Sequence, residues 1–221
     1  MELKVSRGNS KMGNINSVSL PSIKTCRQCG CHSKCYANRI EKLRPSVKKA
    51  YQSNLDLLNR DSTTYWREVE ASIMTSRFFR FHVSGDIPDM DYFIKMVEIA
   101  ERNPHCEILC FTKKYEIVND YINNKYLDSI FGTTIHPQFC NMWMIAKRFI
   151  PDNLHIIFSA WIGLEMFNPF SLPEAHVRFK DGSTTAREDV IECSGNCSEC
   201  AITNAGCWVL KQGEQVIFNE H

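Results

Sequence analysis

Arg77-Phe78-Phe79-Arg80-Phe81-His82-Val83 runs straight into Ser84-Gly85-Asp86, and Pro88 follows. An aromatic and β-branched run that stops at a Ser-Gly-Asp turn reads as a buried strand with its turn at the C-terminal end. Pro88 to Arg102 then predicts an amphipathic helix, with Phe93, Met96, Val97 and Ala100 on one face. Glu107 to Phe111 is a further apolar strand, closed by Thr112-Lys113-Lys114. Strand, helix and strand in this order predict a βαβ unit, and therefore a parallel sheet in an α/β protein.

The pattern continues on both sides. Tyr115 to Asn124 predicts another helix, and Leu154 to Phe158 another strand, ending at Ser159-Ala160-Trp161. Between them, Phe131-Gly132 and His136-Pro137 break any period, although a short helix fits across Cys140 to Phe149. From Asn168 to Ile191 the chain reads as loop, punctuated by Pro169, Pro173 and Gly182, and Val216-Ile217-Phe218 as one edge strand. Upstream, alternation around Val18 and Leu20 predicts a short first strand. Tyr36 to Asn59 reads as helix restarted at Pro45, and Asp61-Ser62-Thr63 can cap a helix through Trp66, Val69 and Ile73. There is no internal repeat and no low-complexity tract.

Composition is that of an ordinary globular protein, and 221 residues suffice for one substantial core with an appendage. A net charge of +1 supplies no global basic field for nucleic acid. Lys42, Arg44, Lys48 and Lys49 lie together, which reads as a solvated helix face. Phe78, Phe79 and Phe81 could stack on bases, but packing of a buried strand explains them more simply. No run reaches the roughly 18 apolar residues of a membrane span. The N-terminus lacks the apolar stretch of a signal peptide, so a cytoplasmic setting without membrane contact is expected.

Eleven cysteines in a reducing compartment point to metal binding or catalysis, and the odd number argues against a full set of disulfides. Cys26, Cys29, Cys31 and Cys35 crowd into ten residues directly after the first strand. Neighbouring side chains cannot all enter one apolar interior, whereas thiolates converging on a metal need such a short loop. His32 inside the loop is a possible replacement ligand. Cys193, Cys197, Cys200 and Cys207 close the chain at a spacing that suits either a four-thiolate zinc site or an iron–sulfur cluster. Cys106, Cys110 and Cys140 read as buried small hydrophobes. In parallel α/β folds, sites form at the C-terminal ends of strands. The first cysteine loop, Ser84-Gly85-Asp86, Thr112-Lys113 and Ser159 all fall at such ends.

Cys26 to Cys35 resembles the cluster-binding loop of radical S-adenosylmethionine (SAM) enzymes, which also follows the first strand of a partial barrel. The trio Cys26, Cys31 and Cys35 is spaced C-x4-C-x3-C, where that family has C-x3-C-x2-C. The wider pattern resembles a phage-encoded, radical-SAM-like group described as gene product 88 proteins. It is carried by Gly8-Asn9-Ser10-Lys11, Ser19-Leu20-Pro21, Thr25-Cys26, Cys35-Tyr36-Ala37, Phe81 to Asp86, Phe111-Thr112-Lys113 and Cys207-Trp208.

The resemblance implies an incomplete TIM-like barrel over residues 1–167 and a cysteine-rich, metal-binding extension over 168–221. Cys26, Cys31 and Cys35 would then hold a 4Fe–4S cluster, with Cys29 as a possible fourth ligand that would close it. Ser84, Gly85, Asp86, Lys113 and Ser159 would contact SAM. Cys193, Cys197, Cys200 and Cys207 would hold a second 4Fe–4S cluster, or zinc. The implied activity is reductive cleavage of SAM and hydrogen abstraction from a small-molecule or macromolecular substrate, fed by a reductant protein in the host cytoplasm. The alternatives are a non-enzymatic two-cluster electron-transfer or interaction protein and, with less support, a zinc-stapled nucleic-acid-binding protein.

Overall fold

The structure is a computed structural model that describes residues 2–26, 31, 34–130 and 142–220. Among the described residues seven parallel strands form one sheet: β1 (Asn16–Val18), β2 (Phe78–Phe81), β3 (Glu107–Thr112), β4 (Leu154–Ser159), β5 (Glu174–Arg178), β6 (Ile191–Glu192) and β7 (Gln215–Asn219). Their order is β1-β2-β3-β4-β5-β7-β6, so the first five strands cross the sheet in chain order. Three differences from the sequence expectations follow. The stretch from Asn168 to Ile191 contains β5 and begins β6. The strand at Val216 to Phe218 lies inside the sheet, flanked by β5 and β6, and is not an edge. The boundary expected at 167/168 runs through this sheet.

The helices are α1 (Ser22–Cys26), α2 (Tyr36–Leu43), α3 (Pro45–Arg60), α4 (Ser62–Met74), α5 (Met90–Arg102), α6 (Tyr115–Ile130), α7 (Met142–Phe149) and α8 (Cys197–Ile202). Local chemistry sets their starts. Pro45 sits in the first turn of α3, where its missing N–H costs nothing. Asp61 accepts from Thr64 N at 3.0 Å to open α4, as expected, and Asp89 accepts from Tyr92 N at 2.9 Å to open α5 two residues after Pro88. Helix α6 continues six residues past the expected Asn124. Among the described residues no helix is long and apolar enough to cross a membrane.

Side chains alternate across the sheet, as the period of two requires. Phe79, Phe81, Ile108, Cys110, Leu154, Ile156 and Phe158 enter the core beneath the helices. Leu109, Ile157, Ala175 and Val216 enter a second core, covered by Met12, Ile15, Ala201 and Trp208. Because both faces are buried, β3 and β4 read as near-continuous apolar runs. Cys106 and Cys110 are fully buried as expected, and Cys140 lies outside the described residues.

Candidate metal and cofactor site

The ends of β1, β2 and β3 are joined by a polar network. The β1–β2 ladder runs on past both strands, with His82 N donating to Val18 O at 2.9 Å and Leu20 N to Ser84 O at 3.0 Å. Ser84 is buried, and its hydroxyl donates to Glu41 Oε1 at 2.7 Å, an oxygen that also accepts from Ser22 N at 2.9 Å. Gly85 has φ +81°, and a Cβ there would lie 2.7 Å from both Leu20 O and Thr25 Oγ1. Only glycine fits this close crossing.

Asp86 is buried beside it. Its Oδ1 accepts from Thr112 Oγ1 at 2.6 Å and Ile87 N at 2.8 Å, and its Oδ2 from Lys113 N at 2.9 Å. Its own N–H donates to Thr25 Oγ1 at 3.1 Å. Burial pushes its pKa up, while Thr112 and the backbone donors pull against that. A carboxylate has about four acceptor positions. Three here are taken by the protein, so Asp86 first of all ties strand ends together.

The described cysteines of the first cluster lie along the chain segment beside this network. Cys26 ends α1, Cys35 precedes α2, and Cys31 is buried between them. The Cys31 thiol hydrogen-bonds Cys35 and holds its pKa down to about 5; burial opposes this, while the first-turn amides of Asn38 and Ala37 and the Lys113 ammonium assist. Cys35 is therefore a thiolate near neutrality, the form that binds metal. Lys34 reaches the far side of the sheet, with Nζ 4.4 Å from the Phe179 ring centroid and 3.6 Å from Glu220 Oε1. Lys34 thus meets groups following β5 and β7, while the charge of Lys113, after β3, is felt at Cys35. Ser159 stands at the end of β4, where its carbonyl accepts from the Tyr115 hydroxyl. Cys29 and His32 lie outside the described residues.

The second cluster lies on the sheet face away from the large helices. Cys193 N donates to Ile217 O and Cys197 N to Lys11 O, both at 2.9 Å, which fixes this segment to β7 and to the N-terminal turn. Cys193, Cys197, Cys200 and Cys207 all pack on the same apolar core as Trp208. Gly195 N lies 3.4 Å from Cys193 Sγ, and Ser194 Oγ 3.3 Å from Cys200 Sγ. Burial pushes Cys207 up to about 12 and raises Cys197, while Arg80 pulls both back.

All nine described cysteines are free thiols. Among the described residues no three His, Cys, Asp or Glu side chains are gathered as an assembled metal site. The donor sets nonetheless suit thiolate-bound metal: a cysteine loop with Cys35 held toward its thiolate at one site, four half-buried thiols on an apolar wall at the other. Such sites assemble together with their metal.

Two residues here escaped the sequence reading. Glu41 shares the buried face of α2 with Ala37 and Asn38, and its position four residues after Ala37 was the available signal. His82 has φ +61°, is buried, and neither ring nitrogen has a partner among the described residues. Burial, with Arg80 nearby, lowers its pKa to about 3, so the imidazole is neutral.

Fold and site together define a parallel α/β protein with a thiol loop at the C-terminal edge of its sheet and a four-cysteine segment on one face. The family described as Gene product 88 matches residues 3–161, and the chain belongs to that family. It is 26% identical over 138 residues to the "Gene 88 protein" of Mycobacterium phage L5. That match covers 56% of this chain and 57% of the relative, little more than half of each, and supports the expectation of a phage protein. No solved structure matches.

Proposed function

We propose that this chain is an iron–sulfur protein on an opened, TIM-like barrel, with radical-SAM-type chemistry at the mouth formed by the first cysteine loop. The observation that carries the reading is placement. Cys26, Cys31 and Cys35 follow the first parallel strand at the C-terminal edge, with Cys35 poised as a thiolate and Lys113 beside it. The chain-ordered parallel strands and the reach of the loop from β2 to Phe179 and Glu220 fit a sheet curled around that mouth.

A 4Fe–4S cluster held by the three thiolates would supply one-electron reductive cleavage of SAM and, from it, hydrogen abstraction from a substrate. The protein's own groups have narrower tasks. The Lys113 ammonium, whose charge is felt at Cys35, would hold a carboxylate there. Asp86 keeps one acceptor position for an ammonium and fixes the β2 and β3 ends that carry Gly85 and Lys113. Ser159 marks the β4 side of the mouth. The second thiol set would hold a 4Fe–4S cluster or zinc and staple the C-terminal segment. A reductant protein of the host cytoplasm would be the electron donor.

Anaerobic purification with iron, sulfide and zinc counts, followed by EPR of the reduced protein with and without SAM, tests this. Iron and sulfide with a SAM-dependent spectral change support it; zinc at both sites refutes it. A second reading, a non-enzymatic protein with two closed clusters, draws support from the saturation of Ser84 and most of Asp86 by protein contacts. It expects no SAM effect and loss of the first cluster in Cys29→Ala.

A further inference from the structure

The four closing thiols share their face of the sheet with two cations that no carboxylate among the described residues answers. Arg80 alternates with Phe79 and Phe81 in β2, so its side chain stands on the face away from the large helices. Its guanidinium carbon lies 4.8 Å from the Phe111 ring centroid. Phe111 meets Phe218 edge-on with centroids 5.8 Å apart, and Lys11 Nζ sits 5.2 Å from the centroid of Phe218. Both rings pack on the apolar core that also holds Cys193, Cys197, Cys200 and Cys207. Lys11 is tied to the thiols a second way, through the 2.9 Å bond from Cys197 N to its carbonyl.

Arg80 Nε is buried with no hydrogen-bond acceptor among the described residues. Among the described residues neither Arg80 nor Lys11 has an ion-pair partner. Taking a guanidinium partly out of water without an anion is costly, and contact with a phenyl ring recovers only part of that cost. The missing charge has a source on the same wall. Four thiolates around a divalent ion carry two negative charges in excess, and a cubane cluster in its doubly positive state leaves the same excess.

We propose that Arg80 and Lys11 are the counter-cations of the C-terminal thiolate centre, with Arg80, on the interior strand β2, the principal one. This rests on the reading that Cys193, Cys197, Cys200 and Cys207 bind metal. Both cations act as positioning residues: they do not touch the metal, but their charges favour four thiolates together over four thiols. A second requirement follows for metal retention, lying more than a hundred residues upstream of the ligands.

Titration of the full, reduced chain with Co(II) under anaerobic conditions tests this, because tetrahedral thiolate coordination is read from its visible and near-ultraviolet bands. Cys200→Ser identifies which bands belong to the C-terminal site. Arg80→Met should weaken Co(II) there about 10–100-fold, the loss usual for outer-sphere partners of a metal site. Arg80→Lys should recover most of that loss, and Lys11→Met should weaken binding less. Circular dichroism checks the fold of each variant, and Arg80→Gln replaces Arg80→Met if the latter does not fold. Unchanged affinity in the folded Arg80 variant overturns the proposal while the metal site stands. Wild-type bands that do not respond to Cys200→Ser overturn the metal reading, and the counter-cation role with it.

Discussion

Asp86→Ala separates a scaffold carboxylate from one reserved for a ligand. Three donors converge on Asp86: the Ile87 and Lys113 amides and the Thr112 hydroxyl. Thr112 can turn its hydroxyl elsewhere, since it already accepts from Lys114 N at 2.9 Å. The two amides cannot turn. Each buried amide left without an acceptor costs about 1–3 kcal/mol, and a broken buried charged network about 3–5 kcal/mol in all. We therefore expect Asp86→Ala to lose about 3–5 kcal/mol, a large share of the roughly 5–15 kcal/mol that stabilises a domain. Asp86→Asn keeps the shape but turns an NH2 toward at least one donor, and should lose about 1–3 kcal/mol. Guanidinium unfolding of the reduced, metal-free chain at neutral pH, followed by circular dichroism, measures both. A loss below about 1 kcal/mol for Asp86→Ala would refute the scaffold role and return the carboxylate to a bound ligand.

Other expectations follow from the same structure. Gly85→Ala must hold a left-handed backbone and press a methyl against Leu20 O, so it should cost more than the ~1–2 kcal/mol of the conformation alone, read from the same unfolding curves. Phe79→Ala, fully buried under the helices, should lose about 3–5 kcal/mol with little change in metal content. Glu174 is pushed up by burial but held below its ordinary 4.5 by hydrogen bonds with His176, Asn168 and Gln215. A depressed carboxylate stabilises above its unfolded pKa and loses that contribution as pH falls through the folded one. Glu174→Gln should therefore be less stable than wild type at neutral pH, and the difference should shrink below pH 4.5 in unfolding curves taken across that range.

The sequence showed best what depends on near neighbours. Phe78 to Phe81 alternates cleanly, Asp61 sits where a cap belongs, and the strand ends marked the site edge. Contacts across long separations were hidden. Glu174-Ala175-His176-Val177-Arg178 looked like loop because its buried polar groups are satisfied by Asn168, Thr185 and Gln215, none visible from local pattern. Val216 to Phe218 looked like an edge because its outer partner, β6, is two residues long. Glu41 looked like an ordinary helix-surface acid, and its partners Ser22 and Ser84 lie 19 and 43 residues away. The position of Asp86 was legible, but its work as a fastener was not, since Thr112 ends the next strand and Lys113 follows it.

The family match ends at residue 161, just beyond β4, while β5 and β7 lie after it. Strand β4 buries Leu154, Ile156 and Phe158 on one face and Ile157 on the other, and meets β5 through only Phe158↔Glu174 and Ser159↔Ala175. Residues 162–221 are thus a sleeve over a sticky margin. Without them β4 would present unpaired backbone, and Leu109 and Ile157 would lose the cover of Ala175, Ala201, Trp208 and Val216, the combination that templates strand addition between chains. Shortening the protein to the matched stretch should therefore change its colloidal behaviour before its chemistry, producing insoluble material in place of a smaller working unit.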